Sequence, residues 1–191
     1  MGTVYRLHEA MHWRRHMTVT LRQNLDRSAG AIFGGEAEEY RYLLWRGWLG
    51  QRTITWLMCN PSVADELVLD STLRRCWSFS EKWGFGRMEI VNLFAFRATE
   101  PKVMKAVAGM GVDVIGPRND DFILHSAISA ERVVCGWGMN DFGGRGDVVV
   151  NMLTMRAMEL FALKVTKDGA PGHPLYVKGD TELTMYKQAA W

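Results

Sequence analysis

Four short apolar runs set the terms for this chain: Thr53 to Met58 (TITWLM), Met88 to Leu93 (MEIVNL), Arg132 to Trp137 (RVVCGW) and Ala162 to Thr166 (ALKVT). Runs of this length, rich in β-branched and aromatic side chains, suit strands covered on both faces. Helix-compatible stretches separate them: Ser71 to Trp83, then Pro101 to Val114 with Asn119 to Ser129, then Asp147 to Phe161. Strands that alternate with helices build a parallel sheet with helices on both faces. The expected fold is therefore α/β, a three-layer α/β/α domain around a central, largely parallel four-stranded sheet.

The segment after each run is as informative as the run itself. Thr53 to Met58 leads into Asn60-Pro61-Ser62, then Ala64-Asp65, then Asp70 and a helix start at Ser71-Thr72. Met88 to Leu93 leads into Asn92-Leu93-Phe94-Ala95-Phe96-Arg97-Ala98-Thr99, the third run into Gly136-Trp137-Gly138, and the fourth into Gly172-His173-Pro174-Leu175-Tyr176. In an open parallel sheet these four segments lie at or beyond the carboxyl ends of the strands, where ligands bind. Each has a plain structural explanation beside the functional one. Asn60-Pro61 can be an Asx-Pro turn, Asn92 can tie down its own loop, Trp137 can be core, and His173-Pro174 can be a hydrogen-bonded turn. Asn119 or Asp120 opens the helix after Gly116-Pro117-Arg118, a cap that also resembles an anion site.

Ahead of the first run, Tyr40 to Arg46 alternates polar and apolar residues and reads as an edge strand with Arg41 on one face. Residues 1–35 read as a basic N-terminal extension, a loosely attached arm or a misplaced start, with a single α/β domain over 36–191. Within that extension His8-Glu9-Ala10-Met11-His12 fits the H-E-x-x-H pattern, and His16 continues the same helix face. A catalytic zinc also needs a third ligand on a packed helix, so no metal site is expected.

Bulk properties narrow the class. The chain has 191 residues, a net charge of +2 and 48% hydrophobic residues, an ordinary single globular domain. No apolar run approaches a membrane span, so no membrane partner is expected. Cys59, Cys76 and Cys135 are odd in number and widely spaced, which points to reduced thiols and a cytoplasmic setting. Arginine outnumbers lysine 16 to 7, a mild preference for anionic ligands. The chain has no P-loop, no G-x-G-x-x-G after its first buried run, no G-x-S-x-G and no Cys/His ligand cluster. Kinase, dehydrogenase and esterase readings are weak, and no cofactor is called for.

YRYLLWR (40–46), NPSVAD (60–65), the D-x-T-x-R-R from Asp70 to Arg75, NLFAFRAT (92–99), GPRND (116–120), WG (137–138) and GHPLY (172–176) resemble the domain-of-unknown-function family 1643 of bacteria and phages, in the same order, over about residues 36 to 178. More distantly, the Asn-Pro loop after the first buried strand and the late His-Pro resemble the uracil-DNA glycosylase superfamily, whose fold is a four-stranded parallel sheet between helices. That resemblance implies a nucleobase N-glycosidic bond hydrolase. Carried over, Asn60 positions the attacking water and His173 faces the base carbonyl or its developing charge. Asp65 departs from the pattern and offers a second water-activating group. Leu175 stands where those enzymes place a phosphate-contacting serine.

Such chemistry needs a held water, an amide or carboxylate near the sugar and donors to the leaving base. The catalytic candidates are therefore Asn60, Asp65 and His173, with Pro61, Ser62, Asn92, Phe94, Arg97, Trp137 and Tyr176 as substrate-binding candidates. Phe94 or Trp137 is the candidate to stack on an extruded base. Expected partners are a nucleic acid or a nucleotide. The alternatives are a non-catalytic nucleic-acid- or nucleotide-binding module in the same crevice, and a zinc hydrolase built on His8, Glu9 and His12. Which base is read, whether the substrate is a polymer, and the oligomeric state are open at this level.

Overall fold

A computed structural model describes residues 19–48, 50–62 and 69–187, together with the backbone of residues 3–7. Nine strands lie among the described residues: β1 Thr3–Leu7, β2 Val19–Gln23, β3 Ala29–Gly34, β4 Tyr40–Gly47, β5 Thr53–Met58, β6 Arg87–Asn92, β7 Arg132–Cys135, β8 Leu160–Ala162 and β9 Thr184–Lys187. Four helices accompany them: α1 Ser71–Lys82, α2 Pro101–Gly109, α3 Asn119–Ser129 and α4 Arg145–Thr154. All nine strands join one sheet in the order β1-β2-β3-β4-β6-β5-β7-β8-β9.

The four strands expected from the apolar runs are neighbours and mutually parallel. Met58 is level with Asn92, Leu57 with Cys135, and Cys135 with Ala162. Their order makes β5 a topological switch point, because the chain leaves it for β6 on one side and later returns to β7 on the other. The helices divide accordingly. On one face of the sheet, Leu73, Cys76 and Phe79 of α1 join Ile54, Trp56, Met88 and Ile90 in one cluster. A second cluster joins Ile123 and Ala127 of α3 and Val149 and Leu153 of α4 to Leu57, Val91, Val133 and Cys135. Each large side chain buried this way contributes about 1.5–3 kcal/mol relative to exposure.

The mixed α/β class is as expected, but a four-stranded, largely parallel sheet is not what forms. Five of the eight strand pairings are antiparallel. The reason lies N-terminal to the first apolar run. Residues 19–34, assigned to an extension, form β2 and β3, which pair with each other while β3 pairs with β4, so no arm separates from the sheet there. β4 is no edge strand either. It lies between β3 and β6, and its Arg41 and Arg46 are only 2% and 5% exposed. Gly30 explains how β3 approaches so closely: a Cβ there would collide with the Trp45 ring and stand 2.6 Å from the Arg22 carbonyl oxygen.

At the other edge, β9 pairs antiparallel with β8. The last expected run is shifted, since its paired part is Leu160–Ala162, and α4 stops at Thr154 instead of running to Phe161. No helix among the described residues is long and apolar enough to cross a membrane.

Candidate functional site

The segments after β5, β6, β7 and β8 do converge, and hydrogen bonds knit them together. Met58 and Cys59 accept from the amides of Leu93 and Phe94 at 2.9 and 3.0 Å, so the β5 and β6 ends leave the sheet side by side. Asn60 then reaches across. Its Nδ2 donates to the Ala98 carbonyl at 2.9 Å and to the Pro61 carbonyl at 3.2 Å. The Ala98 amide returns a bond to Pro61 O at 3.1 Å. With both amide hydrogens held by carbonyls, Oδ1 is the end of Asn60 left to accept from a ligand or a water. Ser62 donates from Oγ to Asp70 Oδ2 at 2.8 Å, while Asp70 Oδ1 caps α1 by accepting from the Leu73 amide at 2.8 Å. Asp65 lies outside the described residues, as do His8, Glu9, His12 and His16.

His173 precedes a single 3-10 turn, Pro174–Tyr176. Its Nδ1 accepts from the Leu175 amide at 3.3 Å. An imidazole that accepts at Nδ1 carries its proton at Nε2, so the neutral ring presents a donor there. Burial pushes the His173 pKa below its ordinary value, with the Asp70 charge opposing that shift. The ring sits beside the third strand-end segment. A Cβ on Gly138 would meet the His173 Cβ at 3.3 Å, and Gly138 N donates to Pro171 O at 3.0 Å.

The remaining sequence candidates divide. Asn92 ends β6 fully buried, and its Nδ2 finds no partner among the described residues. A buried donor in that state costs about 1–3 kcal/mol, and at 1% exposure it is enclosed in the frame of the site. Phe94 is stacked on Phe142 at 4.4 Å, and Trp137, 3% exposed, meets Tyr186 edge-on at 5.9 Å. Both belong to the core cluster under α3 and α4, so neither ring is offered to solvent. Arg97 turns towards the antiparallel half, donating to Glu38 O at 3.2 Å and lying 5.0 Å from the Phe33 ring. Pro61 is buried, Ser62 half-buried, and Tyr176 is 85% exposed with its ring 5.5 Å from that of His173.

Several roles in the site frame escape a reading of the sequence, which offers Asn119 as a helix cap although no side chain caps α3. Asn119 donates from Nδ2 to the carbonyls of Asn92 and Leu93 at 2.9 and 3.0 Å. Arg145 donates from Nε to Leu93 O at 2.9 Å and pairs with Asp120. Two helices thus hold the β6 end from the same side. Gly116 belongs to the same frame, because its φ of +87° and its contact with the Tyr40 ring, 2.9 Å from a built Cβ, admit no side chain. The GPRND pattern is in this sense architectural. Arg41, buried beside Arg97 and Asp70, has its pKa pulled down to about 10 by burial first and by Arg97 second, and stays cationic at neutral pH.

Other features of the molecule lie apart from this chemistry. Cys59 is buried and its thiol is pushed up to about 12, by burial first and then by Asp141, so it is no nucleophile. No cluster of three or more His, Cys, Asp or Glu side chains suited to a metal occurs among the described residues. A shallow cleft of about 270 Å³, lined by Ala127, Ala130, Arg132, Ala157 and Phe161, opens at the opposite, amino end of β7 and β8.

No curated protein and no solved structure matches the chain. A family model described as Protein of unknown function (DUF1643) matches residues 41–175, from the start of β4 through His173 and into the turn beyond it, and the chain belongs to that family.

Proposed function

We propose that the protein hydrolyses an N-glycosidic bond between a nucleobase and its sugar, in DNA or in a nucleotide. The observation that carries this reading is the seat of His173: a half-buried imidazole whose Nδ1 accepts from the Leu175 amide, which leaves Nε2–H as a donor, while burial favours the neutral ring. Departure of a base leaves negative charge on its ring, and a preorganised N–H donor aimed at that charge stabilises it without reorganisation during the reaction. Asn60 supplies the complementary function. Its amide hydrogens are held by Ala98 and Pro61, so Oδ1 can orient a water for attack at the sugar carbon. These groups lie after β5 and after β8, around the switch point, where open parallel sheets bind ligands. Asp65 retains its proposed role as a second water-activating group.

The test uses oligonucleotides carrying uracil, thymine or modified pyrimidines, single- and double-stranded, and the corresponding free nucleotides. Abasic product is scored by alkaline cleavage and free base by chromatography. The expected result is product from the wild type and a loss of about 10²–10³-fold in Asn60→Ala, the scale of removing one preorganised polar group. Binding without product in wild type and variant alike would instead favour a non-catalytic module in the same crevice.

A further inference from the structure

The D-x-T-x-R-R pattern from Asp70 to Arg75 has no place in bond cleavage itself, yet both of its ends touch the site. Asp70 divides its carboxylate between two tasks. Oδ1 accepts from Leu73 N and starts α1, and Oδ2 accepts from Ser62 Oγ in the segment after β5, each at 2.8 Å. Five residues later, Arg75 reaches a different part of the chain. Its Nε donates to Pro174 O at 3.3 Å and its Nη2 to Val177 O at 2.6 Å. Those two carbonyls bracket the 3-10 turn whose Leu175 amide fixes the His173 tautomer. The guanidinium is held in turn by the Phe79 ring, 4.8 Å away, one helical turn further along α1. Between the two ends Leu73 is buried, and Cys76 beside Arg75 is buried with it, which anchors α1 to the sheet.

We propose that the first turns of α1 form a brace between the Asn60 segment and the His173 turn, with Asp70 and Arg75 as the positioning residues that hold the two in one geometry. This rests on the hydrolase reading of Asn60 and His173. Their segments come after strands β5 and β8, which are not neighbours in the sheet and have no ladder in common. Both flank β7, which fixes the strand ends themselves; beyond those ends the two segments leave the sheet, and α1, which grips both, is a ruler for their spacing there. Reactions that depend on two groups facing one bond are sensitive to this spacing, since a misplacement of about 1 Å can cost about 10²-fold. Asp70 also supplies the charge that acts on His173, so one residue touches both the place and the proton affinity of the donor.

The brace is tested on the full chain by two measurements. In the first, ¹⁵N-histidine NMR with His173→Gln as the assignment control reads the His173 tautomer and titration. The wild type should show the Nε2–H form. Arg75→Gln should yield mixed tautomers, and Arg75→Lys should not restore the single form, because a lysine cannot span both carbonyls as the guanidinium fork does. Asp70→Asn should shift the His173 titration to lower pH. In the second, steady-state kinetics on a substrate the wild type cleaves should show kcat falling about 10–100-fold in Asp70→Asn and Arg75→Gln, with KM within about threefold. Variants that lose melting temperature but keep the wild-type His173 spectrum and kcat would overturn the brace. If the wild type releases no base from any substrate, the hydrolase reading fails, and the NMR arm still decides whether α1 sets the His173 geometry.

Discussion

The parallel and antiparallel halves of this sheet bury different chemistry. In β5 and β7 the interior is apolar, with Ile54, Trp56, Leu57, Val134 and Cys135 all inaccessible to solvent. Its polar exceptions are neutral and matched: Thr55 Oγ1 lies 2.8 Å from Ser126 Oγ, and Trp56 Nε1 donates to Ser80 Oγ at 2.9 Å. The antiparallel half buries cations instead. Arg41 and Arg46 lie within β4, and Arg22 and Arg97 approach the Phe33 ring at 5.3 and 5.0 Å. Parallel strands need crossover helices, which blanket both faces and leave no room for charge. Antiparallel strands return through short turns, and arginine stems can cover their aromatic faces. The candidate site residues Asn60 and His173 follow strands of the first kind, and the second kind provides a cationic flank.

The contrast is broken most forcefully from the parallel side. Trp56 is fully buried in β5, and Trp56→Ala should cost about 4 kcal/mol through lost contact and an unfilled cavity. Urea denaturation would read it as a lower midpoint with an unchanged slope. A cost under about 1 kcal/mol would mean that α1 does not pack on β5 as described. The antiparallel side has its own lever in Gly30. Gly30→Ala places a methyl against the Trp45 ring and the Arg22 carbonyl, and because one obstacle is backbone the penalty should reach about 3 kcal/mol. If residues 19–34 were an independent arm, the same substitution would leave the melting temperature of the domain unmoved.

That second prediction also marks the limit of what can be read from residues alone. Three of the four parallel strands are legible because burial on both faces leaves a largely apolar signature, whereas the fourth reads as Ala162–Thr166 and forms at Leu160–Ala162. Strand β5 is legible to the residue, and the convergence of the strand-end segments comes from the alternation. Strands β2 and β3 are not legible. VTLRQ and AGAIFG contain arginine, glycine and alanine, and their stability comes from pairing with each other and of β3 with β4, which no local pattern announces. For the same reason β4 reads as an edge, because its arginines look solvent-bound until β3 is seen to cover it. At the site, Asn60 and His173 stand out as polar residues after apolar runs. Asn119 and Arg145 do not, because each acts through carbonyls distant in sequence. Phe94 and Trp137 read as stacking groups because an aromatic residue near a strand end has the same appearance whether it faces a crevice or the core.

The seam between the halves offers a finer test. Glu89 on β6 lies opposite Trp45 of β4 on one side and Thr55 of β5 on the other. Its Oε2 accepts from Ser126 Oγ at 2.8 Å, and its Oε1 takes Arg87 Nη2 at 2.8 Å. Ser126→Ala removes the neutral partner and leaves that carboxylate oxygen buried, at a cost of about 1.5 kcal/mol, the lower end for a hydrogen bond to a charged group. A double-mutant cycle with Thr55→Val should show coupling, since Thr55 and Ser126 share a hydrogen bond. Strict additivity would show that the seam is three separate contacts and not one network.

The smallest effect distinguishes the halves by pH. Arg41, even with its pKa pulled down to about 10, keeps its proton throughout the neutral range. His173 does not, because burial places its folded pKa below the ordinary 6.5. The unfolded chain therefore binds the proton more readily than the native site does. Where the unfolded state holds more protons, stability rises with pH. The contribution of His173 is accordingly full above 6.5 and is lost as pH falls from there to the folded pKa, with no further change below both. His173→Gln should remove this slope, so the difference in melting temperature between wild type and variant should narrow or widen with pH only inside that window. Asp70→Asn should extend the window downwards, since Asp70 holds the folded pKa up. A difference curve that is flat from about pH 7.5 to about 5 would show that His173 is solvated, and would remove the preorganised donor from the site.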